Sequence, residues 1–417
     1  MNRERIPLIN VIVLVLLFLA LPQNAACSDQ STSAPSTEEL TLRVKKLEKL
    51  ISTDEKKNTK RLQNLKEKLS RDQDRLKING FLTAGVVKGE GNLINGTEAN
   101  GLDFSEGLGY RTDSVAAVQF NYMLTQQAQA IMQLVATGPK EFEVEAEWLY
   151  LKYQLTDQLA FRAGRMRLPF YINSENIAVG FTFPWVRTPV DLYTQELTVY
   201  EGFDVLYQFS TGEWTHNLQA IYGGTSSTQF KVTKLTGAVV ASSYGPWTFR
   251  LSYQRGTLTV IEFPDFGIPK AEYGTFSLQY DDGDWIFIGE INELLIRTGP
   301  TAPFAAGYIS LGKHFNKWTP YVLLGKRMST EKNDWEFLRV AVQAQNINSP
   351  VSRSQSAMLG VRYDLTSSVA IKGEYQRFYG FEEDEFGIVT ITPFTNSDAP
   401  SADAIIDLYS VAVSVVF

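Results

Sequence analysis

Histidine and cysteine are almost missing from this chain of 417 residues, which has only His216, His314 and Cys27. One thiol excludes an intramolecular disulfide and a thiolate-held metal cluster, and two imidazoles leave little material for general-base or metal chemistry. No G-x-S-x-G elbow occurs, and the Gly89-Glu90-Gly91 cluster lacks the strand-to-helix context of a nucleotide fingerprint. No catalytic residue, metal site or cofactor is therefore expected. Positive charge is also short: 39 Lys and Arg stand against 46 Asp and Glu, a formal charge of −7, with no basic stripe among the aromatics. That excludes nucleic acid as a partner. Long apolar runs are missing as well. The run Val11 to Leu21 has eleven residues, where a membrane-spanning helix needs roughly 20.

What is present falls into segments of different character. Residues 1–26 read as a secretory signal, with Arg3 and Arg5 ahead of that apolar run and Pro22 after it. Cys27 is either an unmodified residue at the cleavage point or a lipidated one, and Asn24, where a lipid signal has a large apolar residue, weighs against lipid. A Ser/Thr/Pro linker covers 27–36, and 37–77 then contains neither glycine nor proline. Ser36 and Glu39 fit a capping box at the head of a helix. Apolar residues follow at Val44, Leu47, Ile51, Leu62, Leu65, Leu69 and Leu76, a three-four heptad seam with an eleven-residue stutter after Ile51. So narrow a stripe on so polar a helix is buried best against copies of itself, giving an α-helical coiled coil of two or three chains; a solvated single helix is the plainer alternative.

From residue 78 to 417 the period changes to two. Tyr409, Val411, Val413, Val415 and Phe417 share one face, while Ser410, Ala412 and Ser414 share the other. Ala357, Leu359, Val361 and Tyr363 likewise oppose Met358, Gly360, Arg362 and Asp364. One face suits lipid and the other a lumen. About 16 such strands can be counted, an even number, joined alternately by tight turns (Thr125-Gln126-Gln127, Thr156-Asp157-Gln158, Thr211-Gly212) and by long loops near 88–113, 169–198, 330–354 and 380–403. The expected fold is all-β: a 16-stranded antiparallel transmembrane β-barrel preceded by the coiled coil. Aromatics at strand ends, among them Tyr110, Tyr207, Trp214, Trp247, Trp285, Trp318 and Tyr321, fit an interfacial girdle.

Tyr409 to Phe417, with Tyr409, Val413, Val415 and the terminal Phe417, resembles the carboxy-terminal assembly signal of the trimeric Gram-negative outer-membrane porins. A coiled coil ahead of the barrel is similar to the DcaP-like porins, channels associated with dicarboxylate uptake. The resemblance implies a homotrimer in the bacterial outer membrane with its coiled coil in the periplasm. It also implies assembly by the barrel assembly machinery, contact with outer-membrane lipid and lipopolysaccharide, and passive diffusion of small hydrophilic, dicarboxylate-like solutes through a water-filled pore. A barrel that only anchors the coiled coil, or that carries an enzyme site on its wall, is the competing reading.

The third loop is similar in position to the porin constriction loop, and carries Glu175, Arg187, Asp191 and Glu196 as candidate constriction charges. An ordinary extracellular lid is the alternative. Candidate wall residues are Arg162, Arg165, Arg167, Arg250, Arg362, Lys372 and Glu374, with Lys152, Asp204, Glu290 and Asp364 at the same inward parity. Three arginines in one strand suit anionic groups. By parity, however, Arg165 and Arg167 share a face that Arg162 does not, and most such residues serve as ordinary wall.

Overall fold

The computed structural model describes residues 45–46, 59–62, 75–91, 98–99, 102–103, 107–193, 197–227, 230–261, 270–296, 303–329, 353–381 and 405–417. The chain forms two units, Met1–Ser70 and Arg71–Phe417. In the first, residues 45–46 and 59–62 are helical, Leu62 among them. The signal, the linker and the seam positions Val44, Leu47, Ile51, Leu65 and Leu69 lie outside the described residues. Leu76 is corrected: it opens the first barrel strand opposite Tyr122 and does not continue the helical seam.

The second unit is a closed antiparallel barrel. Its sixteen strands are β1 (Leu76–Gly91), β2 (Val115–Met123), β3 (Ala128–Thr137), β4 (Val144–Gln154), β5 (Leu159–Arg167), β6 (Val199–Thr211), β7 (Trp214–Ser226) and β8 (Phe230–Tyr244), then β9 (Trp247–Val260), β10 (Lys270–Asp281), β11 (Trp285–Ile296), β12 (Phe304–Lys313), β13 (Trp318–Ser329), β14 (Arg353–Thr366), β15 (Val369–Tyr379) and β16 (Ile406–Val416). Each pairs with its neighbour in sequence, and β1 pairs with β16 in a register running from Phe81↔Val416 to Gly91↔Ile406. Closure satisfies every strand edge, which in lipid has no water to bond.

Alternation puts the expected faces where the sequence assigned them. Leu251, Ile291, Ile309, Leu324, Leu359 and Val411 point outward, each more than half exposed, which suits lipid and would be a liability in water. Inward neighbours such as Ser252, Asn292, Ser310 and Ser410 are buried. The tight turns are held by their own side chains. Thr125 and Thr156 Oγ1 accept from the backbone N–H groups two and three residues on. Asp282 Oδ1 accepts from Trp285 and Asp284 N–H, and the Trp285 bond above all holds its carboxyl below the usual range. Around that rim Trp214 and Tyr244, Trp247 and Tyr280, and Trp318 and Tyr363 lie 4.4–5.1 Å apart between ring centroids. Tyr321 is corrected: it points inward, 2% exposed, and leaves the girdle.

The last residue is fixed by the first strand. Phe417 N and O exchange hydrogen bonds with Gly80 O and N at 2.9 and 2.8 Å. The Phe417 ring covers Gly80 so closely that a Cβ there would lie 2.3 Å from ring carbon Cζ. Any Cβ at this position would force the ring aside.

Candidate functional site

The segment between β5 and β6 turns into the barrel and is held there by the inner wall. It starts against β9, where the Arg250 guanidinium donates to the carbonyls of Pro169 and Phe170 and Ser252 Oγ donates to Phe170 O at 2.7 Å. Glu290 of β11 then gathers four donors: Ile172 N–H at 2.9 Å, Ser277 at 2.6 Å, Tyr308 at 2.8 Å, and Tyr193. Tyr171 donates to Leu192 O at 2.7 Å and meets Tyr273, which ties the two ends of the loop together.

The loop's middle reaches the far strands. Trp185, fully buried, donates from Nε1 to Ser310 Oγ at 2.9 Å. Lys372 of β15 directs its ammonium at three carbonyls, Gly180, Phe183 (2.7 Å) and Trp185 (2.6 Å). Arg362 of β14 donates to Phe181 O and Phe183 O at 2.6 and 3.1 Å, and to Asp364 at 2.8 Å. Glu374 accepts from Val186 N–H and Tyr321 OH, both at 3.0 Å. Beneath these contacts lies an apolar seam in which Tyr171, Phe183, Trp185 and Leu192 of the loop pack on Tyr273, Ile288, Phe304, Tyr308, Leu323 and Met358 of the wall.

Two of the four predicted loop charges are anchors. Arg187 forms a two-pronged pair with Asp113, Nε to Oδ1 at 2.8 Å and Nη2 to Oδ2 at 2.7 Å, donates to Ser410, and lies 3.5 Å from Glu374. Asp191, fully buried, accepts from Ser356 at 2.5 Å. Glu175 keeps about half its side chain exposed and faces Arg162 at 3.4 Å. Glu196 lies outside the described residues.

The arginine strand divides. Arg162 points inward and pairs with the buried Asp204, Nε to Oδ1 at 3.0 Å and Nη2 to Oδ2 at 2.6 Å. Arg167 lies between Glu147 (3.1 Å) and the Ser174 carbonyl (3.1 Å). Arg165 is corrected: it sits opposite the outward Leu149 and pairs with the exposed Glu201, so it belongs to the outer surface and not to the pore wall. Three residues apart, Arg162 and Arg165 take opposite faces as simple alternation requires, with Gly164 between them at φ +138°.

Arg250, Arg362, Lys372 and Glu374 do point inward, as parity requires, but all are occupied by the loop. Asp113 is an anchor that did not stand out in the sequence, and no short-range signal marks it; Glu290, expected inward by parity, anchors the loop as well. Among the described residues, the wall from β4 to β9 stays open on the tight-turn side. There a cavity of about 630 Å³ is bounded by strand residues that include Lys152, Gln208 and Gln219 and by loop residues Ile172 and Glu175.

No family model matches the sequence, and no curated protein matches it. The fold has solved counterparts. The outer-membrane channel DcaP of Acinetobacter baumannii superposes with a TM-score of 0.54 at 13% identity, over 82% of this chain and 97% of that one. OmpF of Salmonella typhi gives 0.53 at 12% identity, with the same coverage. An anion-selective porin from Comamonas acidovorans gives 0.52 at 12% identity, over 82% and 99%. The chain thus has the fold of the outer-membrane porins.

Proposed function

We propose that this protein is an outer-membrane porin, a water-filled channel through which small hydrophilic solutes diffuse passively, narrowed by residues 169–193. The observation that carries the reading is the position of that loop. It is bound along β9 to β15 by backbone and side-chain contacts and leaves a polar chamber along β4 to β9. An 8-stranded barrel is filled by side chains, whereas one of 16 strands leaves an aqueous lumen. A trimer, recognition of the terminal strand by the barrel assembly machinery, and contact with lipopolysaccharide complete the proposal, supported by the resemblance of Tyr409 to Phe417 to the porin signal.

Passage of anionic, dicarboxylate-like solutes is a narrower reading, supported by the DcaP-like architecture and by Lys152 at the chamber. The cations that suggested it in the sequence are engaged: Arg162 by carboxylates, Arg250 and Lys372 by carbonyls, Arg362 by both. Weak charge selectivity is the expected outcome. Planar-bilayer recording of the full chain tests the proposal. Conductance steps that close in threes are expected, with a reversal potential in a salt gradient near zero. An electrically silent protein would leave the anchoring role, and a strongly anion-selective one would restore the dicarboxylate reading.

A further inference from the structure

The chamber on the tight-turn side has a lining of unusual chemistry for a site flanked by so many charges. Six carboxamide side chains border it: Gln154, Gln158, Asn176, Gln208, Asn217 and Gln219. Gln208 and Asn217 face each other across the β6–β7 register and are both exposed to the lumen. Gln219 is oriented by donating to Asp204 at 2.7 Å.

The charges around these amides balance locally. Arg162 is matched by Asp204 and faces Glu175 at 3.4 Å. Arg250 is turned onto the carbonyls of Pro169 and Phe170. Lys152 and Asp157 border the same space with opposite signs. Counting Asp204 with Arg162, three positive groups (Lys152, Arg162, Arg250) stand against three negative ones (Asp157, Glu175, Asp204), so the formal charges around the chamber cancel.

A carboxamide donates and accepts at one centre without a formal charge, which matches a hydroxyl group that also does both. Pro169, Ile172 and Val239 add apolar surface between the amides, as the C–H face of a sugar ring requires. The volume of about 630 Å³ falls within the roughly 300–1,000 Å³ of small-molecule sites. We propose that this chamber is a binding subsite for a neutral polyhydroxylated solute of mono- to disaccharide size. The proposal rests on the porin reading and adds a substrate class to it.

The test uses the full chain in two measurements. In planar bilayers, sucrose, succinate and a polyethylene glycol of matched size are added in turn, and the reduction of ionic current is titrated. In detergent, sucrose binding is titrated by calorimetry. Sucrose is expected to reduce the current saturably, and more strongly than the glycol or succinate. The variant Gln208→Leu/Asn217→Leu should weaken that block about tenfold, the loss of one or two neutral hydrogen bonds, while the block by the size-matched glycol changes less. An open channel blocked no better by sucrose than by the glycol, or better by succinate, overturns the subsite and leaves the porin intact. Silent bilayers with saturable, variant-sensitive sucrose binding overturn the porin and keep the subsite. Silence without binding overturns both.

Discussion

Replacing Lys372 by Met keeps most of the side chain's length and removes its ammonium, which bonds the carbonyls of Gly180, Phe183 and Trp185 from a side chain 1% exposed. Three carbonyls then lose a charged donor at a site with little access to water. Leaving one buried acceptor unsatisfied costs about 1–3 kcal/mol; Phe183 O keeps its Arg362 donor, so with the Gly180 and Trp185 carbonyls unpaired the loop's middle loses on the order of 3 kcal/mol. At 1.4 kcal/mol per tenfold, that shifts the balance between seated and unseated loop by about a hundredfold. Glu290 and Arg250 hold the loop's two ends, and Arg362, Glu374, Asp113 and Ser310 still hold parts of its middle, so the shift acts on a loop that stays partly anchored. Single-channel recording of Lys372→Met should show higher mean conductance with flickering between levels. The barrel itself should remain heat-resistant on denaturing gels, since its sixteen-strand ladder is untouched. Quiet openings of unchanged conductance would refute the idea that Lys372 seats the loop.

Three further outcomes are expected. Arg162→Gln leaves Asp204 buried without its guanidinium partner, a loss of about 3–5 kcal/mol for a broken buried pair; thermal unfolding in detergent should begin at lower temperature, whereas the double change with Asp204→Asn recovers part of the loss. Arg165→Ala removes only an outward, exposed pair worth at most about 1 kcal/mol; its conductance and reversal potential should match those of the unaltered protein, and a change in selectivity would contradict its outward placement. Gly80→Val puts a side chain where the Phe417 ring lies, 2.3 Å from a Cβ at that position; the ring must turn aside, so the yield of heat-modifiable barrel on refolding into detergent should fall, and Phe417→Ala in the same refolding assay, free of the assembly machinery, should restore part of it if the clash is the cause.

The barrel was legible because its two determinants are local. Period-two alternation in segments such as 357–363 and 409–417 assigns faces without knowledge of any partner strand, since successive side chains on a pleated strand must point oppositely. Thr125, Thr156 and Asp282 sit where a side-chain oxygen can close a tight turn within three residues. Strand bounds such as 128–137, 199–211 and 369–379 follow from those two signals. Leu76 failed by the same logic: it satisfied a heptad and a strand alternation at once, and pairing with Tyr122 decided for the strand.

The site depended on distance along the chain. Arg187 meets Asp113 across 74 residues and Glu374 holds the Val186 amide across 188, separations that no window of sequence connects. Parity alone could say that Lys372 and Arg362 face inward, but not whether water or a folded loop would meet them, because that depends on which wall the loop's aromatic residues pack against. Trp185, Phe183 and Leu192 settle on β11 to β14, where the apolar inner residues Ile288, Phe304, Tyr308, Leu323 and Met358 can receive them. The sequence by itself determined a barrel of alternating strands and its two faces. Only the tertiary structure decided that the inward cations grip the loop backbone and that the amides are left facing the lumen, because a charge is read by its neighbours in space and the chain does not bring those neighbours together until the barrel has closed.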